Sequence, residues 1–239
     1  MATATVSIPA ASLNAPTKRG STEALKQQVL TGINKYGPFF KSAAENSKLP
    51  IELLIAFAAT ESGVGSLIGP TTSPTYGIMQ WNRNFAKVQL ENELKAGRMT
   101  PEEKAILAKY NIKFDANGKT RVITVADQGK PELNILIGSI LLGNYADSRV
   151  DGRKDPKAWG IDEKGNLRID RMVAVYNTGA YHPDGKKARF GNYASPLALG
   201  NAVNSTTREY IGFLTGRNGY YDILLKPEVQ EVLKTKGLK

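Results

Sequence analysis

The stretch from Pro50 to Ser62 constrains the fold more than any other. It reads Pro-Ile-Glu-Leu-Leu-Ile-Ala-Phe-Ala-Ala-Thr-Glu-Ser, and Gly63 and Gly65 follow. Pro50 suits the first turn of a helix, and Glu52 places a negative charge where the helix dipole is positive. The two glycines supply the stop. A helix apolar on nearly every side has no face for water, so other elements must surround it. Its longest unbroken apolar run, Leu53 to Ala59, is seven residues, far short of a membrane span. A chain of 239 residues is long enough to build that surrounding core.

The rest of the chain reads as mostly helix. Residues 1–20 have no periodicity and read as a flexible N-terminal arm. A helix starts at Ser21 or Thr22, breaks at Gly37-Pro38, and a second covers Phe39 to Glu45. Asn84 to Tyr110 is charged and helical in period, with a good start at Thr100-Pro101-Glu102-Glu103. Ile112 to Val125 alternates, and Asn117-Gly118 at its centre is a hairpin signal. Glu132 to Tyr145 is another apolar helix. Asp147 to Asn166 reads as a polar connection. Leu167 to Asn177 is helical up to Gly179, Pro183 to Lys187 is a loop, and Thr206 to Leu214 and Pro227 to Lys234 are short helices. The expected architecture is one mainly α domain, residues 21–239, with a small β-hairpin inside an insertion at about 83–130.

Composition removes several chemistries. Without cysteine there are no disulfides, thiolate nucleophiles or zinc–sulfur sites. A single histidine, His182, excludes multi-histidine metal sites and leaves little room for a serine triad. Arg149 and Arg153 interrupt Asp147, Asp151 and Asp155, which argues against a calcium loop. No metal or cofactor is expected.

Three clusters remain. Glu61 continues the helical stripe of Leu53 and Phe57 after eight uncharged residues. Burial and the negative helix end both oppose its ionisation, which suits a general acid. The bland alternative is a Glu that snorkels out at a frayed end. Gly77-Ile78-Met79-Gln80-Trp81-Asn82 mixes apolar surface with amides, as a sugar site does. It reads equally as a loop anchored in the core. Ala174-Val175-Tyr176-Asn177-Thr178-Gly179 holds a Tyr that needs a hydrogen-bond partner, for which a carboxyl would serve; a core Tyr with an Asn cap is the alternative.

Glu61-Ser62, Gly77-Ile78-Met79-Gln80 and Tyr176-Asn177, in that order, resemble the lytic transglycosylase family with the goose-type lysozyme-like catalytic domain. That family carries Glu-Ser, Gly-Leu-Met-Gln and Ala-Tyr-Asn. Further likeness lies in Leu49-Pro50, in Pro131-Glu132-Leu133-Asn134-Ile135 with Gly138, and in Thr207-Arg208-Glu209-Tyr210-Ile211. It spans roughly Tyr36 to Leu214. The chain departs from the family in the long segment Trp81 to Lys130 and in Leu141, where the family often has Tyr.

The resemblance implies an α+β lysozyme-like fold and cleavage of the β-1,4 bond between N-acetylmuramic acid and N-acetylglucosamine. Glu61 would be the acid and then the base, giving a 1,6-anhydro product with help from the substrate acetamide. Ser62, Met79, Gln80, Tyr176 and Asn177 would shape the substrate site. A goose-type lysozyme-like hydrolase is the nearest alternative. It needs a second carboxylate, yet Gly63 to Trp81 has none and Asn82 follows; Asp115 or Asp127, in the predicted hairpin region, could supply one if the hairpin folds back. A rival of another class is a non-catalytic basic protein binding cell wall or nucleic acid.

The net charge of +10 fits an anionic partner such as the wall. Lysines and arginines are spread along the chain without a recognition motif, so nucleic acid is not the expected partner. The partner implied is the peptidoglycan glycan strand. Residues 1–16 lack a basic start followed by an apolar stretch, so no secretory signal is visible. The expectation is delivery to the bacterial wall by a phage particle, host lysis or a secretion machine, with a phage origin favoured.

Overall fold

A computed structural model describes residues 5–8, 13–66, 72–150, 153–154, 158–178, 193 and 195–239. The chain is mainly helical with a small β element. Helix α1, Thr22–Ser47, is capped by Ser21, whose Oγ accepts from the Ala24 N–H at 3.3 Å. The break expected at Gly37-Pro38 does not occur, and α1 runs through it. Pro38 has no N–H to offer the previous turn, a defect of about 3 kcal/mol. The buried stripe Leu25, Val29, Ile33, Tyr36, Phe40 and Ala43 continues across it. Each large side chain so buried contributes about 1.5–3 kcal/mol, enough to hold both halves in one helix. Gly37 admits the C-terminal segment: a Cβ there would lie 2.7 Å from Leu238 Cδ1.

Helix α2, Ile51–Ser62, is the apolar segment, and it buries every residue but Glu61. Helix α1, about seven turns by its length, packs on α2 and on the second apolar helix, which completes the centre. Helices α3, Arg83–Lys95, and α4, Pro101–Lys109, precede it. The predicted start of α4 is present as a reciprocal cap between Thr100 and Glu103. A short α5, Val125–Gln128, leads into that second central helix, α6, Pro131–Ala146.

The hairpin expected over 112–125 is reduced to a turn. Asp115 Oδ1 accepts from the N–H groups of Asn117 and Lys119, and one isolated bridge joins Phe114 to Thr120. Side chains take the partners that a ladder would use. Glu91 accepts from the Thr120 N–H at 3.1 Å, and Arg121 donates to the carbonyls of Asn111 and Tyr110. A two-stranded antiparallel ladder lies instead in the segment read as a polar connection: β1, Arg149–Val150, pairs with β2, Arg153–Lys154. Asp151-Gly152 lies between them in sequence, a two-residue turn signal that the reading passed over.

Helix α7, Ile169–Thr178, packs on α9, Ser205–Thr215, with α8, Pro196–Ala202, against both. Helices α10, Tyr220–Leu224, and α11, Pro227–Thr235, close the chain. The periodicity of the sequence revealed neither α5, α8 nor α10, each too short for a pattern.

The described parts of the N-terminal arm are docked, contrary to the reading of a free arm. Leu167 N–H donates to Thr5 O and Ser7 N–H to Leu167 O. Arg217 N–H donates to Leu13 O, and Leu13 is buried. Strand-like bonds and one apolar anchor compensate for ordering these residues.

Candidate active site

Glu61 occupies the last turn of α2, where Gly63 ends the helix in a left-handed conformation (φ +58°). The residue is part-exposed, yet its Oε1 is enclosed and has no hydrogen-bond partner. Burial pushes the carboxyl up to about 8, and the Arg19 charge opposes that rise. A carboxyl in this state is mainly protonated at neutral pH and can donate. No carboxylate among the described residues acts on it electrostatically.

The next residue pins the helix end to the second cluster. Ser62 is fully buried; its Oγ donates to Ile78 O at 2.7 Å and accepts from the Gly65 N–H at 2.8 Å. Asn134 of α6 then shapes the loop. Its Oδ1 accepts from the Met79 N–H at 2.7 Å, and its Nδ2 donates to Tyr76 O and Gln128 O. Its backbone carbonyl accepts from Trp81 Nε1 at 2.9 Å. Gly77 (φ +87°) is required for that approach, since a Cβ would lie 2.3 Å from Asn134 Nδ2.

Met79 and Trp81 are in the core, at 0% and 2% exposure. They anchor the loop, the bland half of the sequence reading, instead of presenting a sugar platform. Met79 lies over Gly138 of α6, whose missing side chain makes room for it. Gln80 follows with φ +49°, a conformation that strains a non-glycine residue. It stays part-exposed, and its Nε2 donates to Gly77 O.

Tyr176 comes from α7 and meets the same loop. Its hydroxyl donates to Met79 O at 2.6 Å, so its partner is a carbonyl and not the carboxyl anticipated. The ring packs edge-on against Phe57 of α2 at 5.7 Å and Tyr145 of α6 at 6.0 Å. Burial first, then the Glu61 charge, holds its phenol well above the usual range. Tyr210 of α9 is raised by the same two causes in the same order. Asn177 Oδ1 accepts from Thr207 Oγ1 at 2.8 Å, tying α7 to α9. Leu141 is buried one turn before Tyr145.

Five of the six predicted residues are thus brought together: Glu61, Ser62, Met79, Gln80 and Tyr176 form one cluster at the end of α2. Asn177 joins it through the α7–α9 contact. The acids that a hydrolase would need are engaged elsewhere. Asp127 forms a paired contact with Arg121 (2.7 and 2.8 Å) and caps α5, and Asp115 caps its own turn. Asn82 is the N-cap of α3. His182 and the 183–187 loop lie outside the described residues, as do Asp151 and Asp155. Among the described residues, no three His, Cys, Asp or Glu side chains gather as a metal site.

Sequence reasoning missed two contributors. Asn134 enters the motif likeness without a role of its own, although a lone amide in the run Leu133-Asn134-Ile135 signals a buried polar group that needs partners. Arg19 gave no local signal at all. The chain matches no family model and no curated protein. Among the described residues, no helix is long and apolar enough to cross a membrane.

Proposed function

We propose that the chain is a lytic transglycosylase that cleaves the β-1,4 bond between N-acetylmuramic acid and N-acetylglucosamine in peptidoglycan. One observation carries the reading: a single part-exposed carboxyl, Glu61, is kept protonated by burial and has no second carboxylate acting on it among the described residues. Glu61 would protonate the leaving oxygen and later accept the proton of the 6-hydroxyl, while the substrate acetamide stabilises the cation. The motif order that resembles the family supports the substrate. The net charge of +10 supports an anionic wall as partner. Against a hydrolase of the same bond stand the engaged Asp115 and Asp127. In this reading the part-exposed Gln80 and Asn177 would meet substrate, with Ser62, Met79 and Tyr176 shaping the wall behind them.

Digestion of purified peptidoglycan followed by mass spectrometry tests this. Muropeptides one water lighter than the hydrolysed species are expected, and the Glu61→Gln variant should lose roughly 10²–10⁴-fold in rate. Only full-mass reducing ends would mean hydrolysis. A folded Gln variant with near wild-type lysis would sink the role of Glu61.

A further inference from the structure

The N-terminal arm brings a cation to the end of α2. Residues Thr17–Arg19 form one 3-10 turn, and Gly20 (φ +106°) leads into the Ser21 cap of α1. Arg19 Nη1 donates to Ala59 O at 2.8 Å, in the last turn of α2. The guanidinium carbon stands 4.5 Å from the centroid of the Phe213 ring on α9. Lys18 beside it pairs with Glu209 of α9. A carbonyl, an aromatic face and the neighbouring ion pair therefore fix the Arg19 head. The helix end, with its partial negative charge, favours a cation there.

Three helices bring aromatic groups toward Glu61. From α7 comes Tyr176, with Tyr145 of α6 behind it, and from α9 comes Tyr210. Burial raises the phenols of Tyr176 and Tyr210, which keeps both neutral through the working range. Glu209 is paired to Lys18. Tyr220 of α10 lies beside Arg19 and donates to Gln28 Oε1 at 2.6 Å. Arg19 is the one charged side chain among the described residues that acts on Glu61.

We propose that Arg19 is a positioning residue for the Glu61 carboxyl, holding a fixed guanidinium charge beside the carboxylate that forms when Glu61 donates its proton. The proposal rests on the reading of Glu61 as the acid. In the first step the Glu61 O–H bond breaks, its proton goes to the glycosidic oxygen, and the electron pair stays on the carboxylate. The bond from that oxygen to the sugar carbon breaks, and its electrons leave with the oxygen. In the second step the 6-hydroxyl oxygen bonds that carbon and its proton returns to Glu61. Between the steps the carboxylate sits in an apolar pocket, where a nearby cation stabilises it. Arginine suits the place because its planar guanidinium can lie against a ring while its N–H groups donate in fixed directions.

The test is a carbon-13 NMR titration of the Glu61 carboxyl, assigned by its absence in Glu61→Gln. Wild type is compared with Arg19→Gln, Arg19→Met and Arg19→Lys, beside pH–activity profiles on peptidoglycan. Removing the charge should move the Glu61 midpoint up by roughly half a unit or more. The alkaline limb of activity should move with it, and kcat should fall by roughly tenfold with KM little changed. Arg19→Lys should lie between these variants and wild type. An unmoved midpoint in folded Arg19→Gln overturns the proposal even if activity falls. Failure of both Arg19→Gln and Arg19→Met to fold would assign Arg19 to docking the N-terminal arm alone and also overturn it. A moved midpoint in a protein that never cuts peptidoglycan upholds the pairing and overturns the enzymatic reading.

Discussion

Replacing Glu61 by Gln removes one ionisation and almost no volume, so it isolates what the buried carboxyl does to stability. Unfolded, the group ionises near its ordinary value of 4.5; folded, burial raises it to about 8. The folded state therefore holds the proton more tightly. Its contribution to stability is complete below pH 4.5 and is lost as pH rises through 8. At about 1.4 kcal/mol per pH unit, the loss is about 3 kcal/mol at pH 7 and about 5 kcal/mol above pH 8. Gln carries no such dependence, and all other titrating groups are common to both proteins. Urea and thermal melts of the two at pH 4, 6, 7 and 8.5 should nearly coincide at pH 4 and then diverge. The variant should be the more stable, by roughly 6–12 °C at pH 7 for a domain of this size. It should also be the inactive one, the usual relation where a site holds a group at the expense of the fold. Parallel stability curves across that range would refute the reasoning, since they would show Glu61 ionising as freely folded as unfolded.

The remaining expectations concern the parts that hold the site. Asn134→Ala removes three side-chain bonds and strands the Met79 N–H, so melts should show a loss of about 3–5 kcal/mol, with lysis reduced in parallel. Wild-type stability in Asn134→Ala would deny the loop its anchor. Glu91 is raised by burial but pulled down further by Lys119, Lys87 and the Thr120 N–H, to about 2. Its lowered value gives stability present above its ordinary 4.5 and lost as pH falls through 2, so Glu91→Gln should flatten the acid limb of a melt series. An unchanged acid limb would mean that those partners leave Glu91 unperturbed. Lysis of whole peptidoglycan should weaken as salt rises, because screening limits surface charge to about 8 Å at physiological strength, while cleavage of a short neutral glycan should change less. Equal salt dependence on both would deny the +10 charge a part in encounter.

How far the residues alone could go differs from element to element. The all-round apolar helix up to Ser62, the Ser21 and Thr100 caps and the apolar helix after Pro131 were legible because they are local. Helix period, cap chemistry and turn glycines act within a few residues. The solitary carboxyl at the end of α2 was legible for the same reason. The rest was decided by contacts between distant segments. Pro38 reads as a break, but a continuous buried stripe outweighs one missing bond. Asn117-Gly118 reads as a hairpin, but Glu91 and Arg121 take the groups that would pair. Met79 and Trp81 read as possible sugar contacts, and packing under Gly138 and the bond to Asn134 O turn them into anchors. Tyr176 could have met a carboxyl, yet its hydroxyl donates to Met79 O. Arg19, 42 positions before Glu61 in the chain, had no pattern around it to read. Local sequence decides which conformation each segment prefers, but the partner of a buried polar group, and the charge beside an acid, depend on which surfaces meet when the helices pack.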